Sequence, residues 1–157
     1  MEPKFRVASN MHFLDLVDVD EALVDEMWGK VSTSGSYYSI GDGVTKDVFR
    51  RMLFESNLVF KGDHFLIRGE CHADCVELHP IVFGHSSFRN SKAILGEILP
   101  VVEKLFAKKP VCCIIPEGMR GAKHLALTAG LERTGEVTRS LSGVELRCGV
   151  YVKRSEA

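Results

Sequence analysis

Apolar residues recur along this chain in two rhythms, one every three to four positions and one every second position. Each change of rhythm marks a change of element. Lys4–Ser9 ("KFRVAS") reads as a short first strand. Ser9 or Asn10 then offers a helix cap, and Leu16, Val19, Leu23, Val24, Met27 and Trp28 make a helical stripe reaching Lys30, in one piece or two. The Gly/Ser-rich stretch "STSGSYYSIGDG", residues 32–43, is a polar loop. A second amphipathic helix covers Thr45–Ser56. It is expected to bury Val48 and Met52, with Phe49 as the next candidate.

Strand rhythm follows. "NLVFKGDHFLIRG" is two apolar runs around Lys61-Gly62-Asp63-His64, a hairpin signal. In "CVELHPIVF", residues 75–83, the alternation puts Cys75, Glu77, His79, Ile81 and Phe83 on one face. Asn90–Lys108 is helical, with Ile94, Leu95, Ile98, Val102, Leu105 and Phe106 as its core stripe, and Pro100 is expected to kink or split it. "VCCII", residues 111–115, is a continuous apolar strand of the kind buried on both faces. It stops at Pro116, and a short helix over 122–129 with Ala at helical spacing leads to Gly130, a C-cap where positive φ is cheap. The last strand, 144–153, alternates Val144, Leu146, Cys148, Val150 and Val152 with Glu145, Arg147, Gly149, Tyr151 and Lys153. The order β-α-α-β-β-β-α-β-α-β is mixed α/β, with hairpins first and a β-α-β crossover later.

Composition narrows the function classes. The chain has 157 residues, 45% apolar and 26% charged, which suits one domain with a real core. A net charge of −1 gives no electrostatic support for binding nucleic acid or an anionic membrane non-specifically. No apolar run reaches the roughly 18 residues of a membrane span, and the first residues lack the basic and apolar regions of a signal peptide. Five cysteines, an odd number without a regular framework, suit a reducing interior, so the expected location is cytoplasmic.

Candidate chemistry is sparse. Glu77 and His79 share a strand face, where either is a general base tuned towards neutrality or an ordinary polar residue lining a wet sheet face. "CHADC" with His79 and His85 offers zinc ligands on paper. Its Cys-x3-Cys spacing is loose, no second pair of ligands follows, and no metal is expected. Cys112 and Cys113 read as core filling. Arg89 and Lys92 stand at a helix start, where a cation is mildly unfavourable, so they mark either an anion site or solvated charge. Trp28 reads as core, Tyr37 and Tyr38 as candidates for an acceptor pocket, and His124 as a surface residue.

The element order and two segments resemble the GNAT superfamily of N-acetyltransferases. The segments are "VELHPIVFGHSSFRNSKAILGEIL" and "IPEGMRGAKHLALTAGLERTGE", residues 76–99 and 115–136. The second, with "VDEMWGKVSTSG" at 24–35, is similar to GNAT-like proteins of tailed bacteriophages and prophages. The resemblance implies one α+β domain with a mixed, mostly antiparallel sheet of six or seven strands and about four helices. It also implies a splayed parallel pair formed by 75–83 and 111–115. In such folds the pyrophosphate of acetyl-CoA sits on the helix start after the fourth strand. That carries cofactor binding to Arg89, Asn90, Ser91, Lys92, Ala93 and Ile94, and polarisation of the acyl group to the backbone near Leu78 and Ile81.

Two departures stand out. Lys92 and Ile94 occupy positions where small residues usually let the backbone approach the phosphates, and Ala126 stands where many members place an acidic Tyr. The expected function is transfer of an acetyl group from acetyl-CoA to an amine, with Glu77 or His79 assisting, in the cytoplasm of a phage host. The alternative is a catalytically silent GNAT-fold phage protein serving in a virion, in head assembly or in binding a host protein. A homodimer through the well-patterned last strand is a further expectation.

Overall fold

The computed structural model describes residues 14–33, 44–63, 65–82, 91–106, 109–141 and 144–153. The expected strand at Lys4–Ser9, the cap at Ser9 or Asn10, Tyr37, Tyr38, His85, Arg89 and Asn90 lie outside them. The described elements run β1 (Leu14–Leu16), α1 (Glu21–Thr33), α2 (Lys46–Glu55), β2 (Leu58–Gly62), β3 (Phe65–Cys71) and β4 (Val76–Val82). They continue with α3 (Ser91–Leu105), β5 (Val111–Pro116), α4 (Arg120–Thr128), β6 (Glu132–Leu141) and β7 (Val144–Lys153). The strands form one mixed sheet in the order β1-β2-β3-β4-β5-β7-β6. β4 and β5 are parallel, because α3 is the crossover between them. Among the described residues their ladder comprises Val76 opposite Val111 and Glu77 opposite Cys112. This is the α+β architecture that the resemblance implies.

Two compact units divide the chain, the first drawn from Met1–Glu70 and His79–Ser86, the second from Cys71–Leu78 and Ser87–Ala157. In the first, β1 pairs antiparallel with β2, and β2 with β3 as the expected hairpin. Here the helical stripe drawn from Ser9 or Asn10 needs correction. Leu14-Asp15-Leu16 alternates with period two and is a strand, and Val19 lies in the connection after it. The helix starts only at Glu21, where Asp20 Oδ1 accepts a hydrogen bond from the Leu23 N–H at 2.8 Å and serves as its cap.

α2 is capped by Thr45, whose side chain accepts from the Val48 N–H at 3.3 Å. Its buried stripe is rotated by one residue from the expected one. Phe49 and Leu53 are fully buried, whereas Val48 and Met52 are half-buried. Both buried residues join a core with Leu23, Val24, Met27 and Val31 of α1, Val59, Leu66 and Ile81. Trp28 packs on its margin, with its ring centroid 5.5 Å from that of Phe49.

In the second unit α3 runs unbroken through Pro100 instead of splitting there. Pro100 and Gly96, whose carbonyl loses its helical partner, are both exposed, so water can satisfy that carbonyl. α3 buries Leu95, Ile98, Val101 and Val102. α4 ends as expected: Gly130 has φ +95°, its N–H donates to Leu127 O and the Leu131 N–H to Ala126 O.

The pattern missed β6. Residues 132–140 are all exposed, and an edge strand wetted along its length shows no apolar alternation. β7 lies between β5 and β6, so the last strand is interior and offers no free edge over its paired length.

Phe49→Ala is expected to lower unfolding free energy by about 3–5 kcal/mol, the cost of emptying a fully buried aromatic site. Leu127→Ala, at a residue 55% exposed, is expected to change it by less than about 0.5 kcal/mol. Urea titrations of the two variants check the contrast.

Candidate functional site

The second unit buries a charge. β3 ends at Cys71, and the chain reverses through a turn closed by the His72 N–H donating to Cys75 O at 2.8 Å. β4 then enters the sheet with the Val76 N–H donating to Pro110 O at 2.8 Å, which sets Glu77 opposite Cys112. Glu77 is 1% exposed. A carboxylate in such a place must be compensated by charge and hydrogen bonds. Arg139, on β6, donates from Nη1 and Nη2 to Oε2 and Oε1, each at 3.2 Å, a two-pronged charge-assisted pair. His72 places Nε2 2.9 Å from Oε1 of the same carboxylate.

Two solvent-accessible groups flank the buried one. The His72 side chain is 43% exposed and that of Arg139 44%, while the carboxylate between them is buried. An accessible imidazole held by a buried carboxylate is a familiar arrangement for proton transfer, because the acid group fixes the orientation of the ring. The sequence pattern singled out Glu77 but neither partner. Arg139 lies 62 residues away, in the strand that shows no alternation. His72 carried a signal only as a zinc candidate in "CHADC".

The other expected residues lie as follows. In the first unit, the His79 side chain is 25% exposed with Nε2 3.7 Å from Glu70 Oε2, and Glu70 also accepts from Arg68 at 2.6 Å. The Ile81 side chain belongs to that unit's core, which leaves only its backbone for a ligand. In the second unit, Leu78 is buried. Ser91 opens α3, Lys92 and Ala93 are exposed, and Ile94 is half-buried. No acidic residue occupies the first turn of α3, so the helix dipole and Lys92 act on an anion there with the same sign. The three groups of "CHADC" turn to separate partners: Cys71 Sγ meets Lys109 Nζ at 3.3 Å, His72 meets Glu77, and Cys75 meets Cys112.

If the guanidinium compensates the buried carboxylate, Glu77→Gln and Arg139→Met will be non-additive in unfolding free energy. The expected coupling is about 1–2 kcal/mol, towards the low end for contacting charges because Arg139 is partly solvated. Additive losses in a double-mutant cycle would show that the pair contributes nothing specific.

No protein-family model matches this chain, and no curated protein matches it in sequence. Among the described residues, no helix is long and apolar enough to cross a membrane. Solved structures do match. A GNAT-family acetyltransferase from Bacillus anthracis is 11% identical, with a TM-score of 0.71 over 91% of this chain and 95% of that one. Spermidine N-acetyltransferase from Vibrio cholerae, in complex with CoA and spermine, is 12% identical, with a TM-score of 0.68 over 90% of this chain and 95% of that one. A ribosomal L7/L12 α-N-protein acetyltransferase in complex with coenzyme A is 8% identical, with a TM-score of 0.72 over 92% of this chain and 96% of that one. At these identities the likeness establishes the fold: this chain is built as GNAT-family acetyltransferases are built.

Proposed function

We propose that the protein is a GNAT-type N-acetyltransferase that moves an acetyl group from acetyl-CoA to an amine. The observation that carries the reading is the buried Glu77 carboxylate on the parallel-paired strand β4, joined to the accessible imidazole of His72. The fold shared with acetyltransferases supports the reaction class. The phage-encoded setting rests on the sequence resemblance of residues 24–35 and 115–136 alone.

Acetyl-CoA supplies an acyl thioester activated towards direct attack by an amine. The residues suited to hold its phosphates are those at the start of α3, where Lys92 and the N–H groups of the first turn present positive charge and the turn carries no acidic residue. Arg89 and Asn90 belong to the same assignment through the resemblance, as do the backbones of Leu78 and Ile81 for the acyl arm. Glu77 is assigned the amine proton, with His72 as its connection to solvent, and His79 is the second candidate. Much of the acceleration in such a site comes from positioning, and a positioned base adds typically 10²–10⁴-fold.

One observation favours the silent alternative, a GNAT-fold component of a virion or a host-protein binder. Arg139 donates to both oxygens of Glu77, so an incoming amine must compete with the guanidinium for them. Calorimetry with acetyl-CoA followed by an amine panel separates the two readings. The enzyme binds acetyl-CoA and turns over at least one amine, and Glu77→Gln lowers that rate by about 10²–10⁴-fold. Lys92→Glu weakens CoA binding at least tenfold, about 1.4 kcal/mol. A protein that neither binds acetyl-CoA nor acetylates any amine is not this enzyme.

A further inference from the structure

Five cysteines are dispersed along this chain, yet two of them meet. Cys75 precedes β4 and Cys112 lies in β5, and their Sγ atoms are 2.7 Å apart, although both are free thiols. The parallel register explains the meeting. Glu77 stands opposite Cys112, and Cys75, two residues before Glu77, shares its face of the strand. We infer that Cys75 and Cys112 are a modification site, a dithiol that hydrogen peroxide converts to an intramolecular disulfide beside Glu77.

The geometry asks little of the backbone. A disulfide requires about 2.05 Å between sulfurs, so the two atoms need to close by roughly 0.6 Å from where they rest. Their exposures differ in the useful direction. Cys75 is half-exposed and open to a small oxidant, while Cys112 is 4% exposed and shielded from one. Burial pushes the Cys75 thiol up, and the hydrogen bond from Cys112 partly offsets this. Cys112 is pushed up further, by burial and then by that same contact. Cys75 is therefore the sulfur that ionises first, and with a small thiolate fraction at neutral pH the pair answers sustained exposure.

The step balances in two stages. The Cys75 thiolate attacks one peroxide oxygen, the S–O bond forms as the O–O bond breaks, and the departing hydroxide takes a proton to become water. Cys112 sulfur then attacks the Cys75 sulfenic acid. The S–S bond forms, the S–O bond breaks, and the Cys112 proton leaves with that oxygen as a second water. Two thiols lose two electrons, and one peroxide becomes two waters.

The other cysteines make different contacts. Cys71 Sγ meets Lys109 Nζ at 3.3 Å, Cys113 follows Cys112 and so points to the opposite face of β5, and Cys148 Sγ turns to Leu146 O. The bond is therefore expected at one place only.

The test uses the purified full-length protein, reduced, freed of reductant and then held in hydrogen peroxide. Thiol titration under denaturing conditions should fall by two of the five thiols, with a mass lower by two hydrogens and recovery in dithiothreitol. Peptide mapping should join the peptides of Cys75 and Cys112. Cys71→Ser should oxidise as the unmodified protein does, whereas Cys75→Ser and Cys112→Ser should each lose the bridged peptide. The inference is overturned if all five thiols persist, if the bridge joins any other pair, or if only disulfides between chains form. Mapping of the unmodified protein and of Cys71→Ser decides the matter even if a Ser variant of the pair fails to fold.

Discussion

Much of the second unit follows from the need to keep one carboxylate charged where water does not reach it. Desolvating a carboxylate is costly enough that the surrounding chain must bring compensation to it. The compensation comes from two directions. One is local, the tight turn at His72–Cys75 that carries the imidazole back onto the strand that follows it. The other is distant. β6 is separated from β4 in the sheet order by β5 and β7, so no neighbouring-strand contact can join Arg139 to Glu77. The β6–β7 ladder continues to Leu141 opposite Val144, past the last β5 pair at Pro116 and Cys148. Arg139 lies on this hairpin arm, opposite Leu146, and its guanidinium meets both oxygens of Glu77 from there. A ten-residue edge strand with an exposed, polar sequence thus has a use that burial alone does not reveal.

The same face concentrates what is chemically distinctive in the unit. Cys75, immediately before β4, and Glu77 within it stand two residues apart, and Cys112 opposes Glu77 across the parallel ladder. Parallel pairing is required for that arrangement, and the crossover helix α3 imposes it. An antiparallel β5 would run the other way and offer a different set of neighbours. The crossover therefore has two consequences: β5 runs parallel to β4, and the first turn of α3 carries no acidic side chain.

How much of this was legible in the sequence depended on whether an element shows one face to water and one to the core. α2 and α3 do, and they form where their periodicity implies, whereas the 58–71 hairpin, buried on both faces over most of its length, is legible from its continuous apolar runs around a turn. β1 was misread because Leu14 and Leu16 alone cannot distinguish a two-residue period from part of a helical one. β6 was invisible because residues 132–140 have no buried side to create a pattern. The one-residue rotation of α2 reflects packing, with Phe49 turned towards Trp28 and the α1 stripe. At the site, alternation singled out Glu77, but burial, the guanidinium and the imidazole are tertiary facts. A residue 62 positions away leaves no trace in local spacing.

The stretch from Cys113 to Glu136 has the densest punctuation in the chain and makes a different contribution. Pro116 ends β5, α4 touches α3, β5 and β6, and Gly130 turns the chain into the edge strand with a φ of +95° that a side chain would strain. Its charged residues serve the same geometry. Glu117 accepts from Lys123 at 2.9 Å and Arg133 at 2.6 Å, and these partners hold its carboxyl below the usual range while tying the end of β5 to α4 and β6. This segment sets where β6, the strand that carries Arg139, begins. Shape in one segment and charge in another are consequently coupled through a single hairpin. Ala126 on α4 is buried, so this segment supplies packing, while the charged groups of the unit lie on β4, in the turn before it and on the hairpin arm.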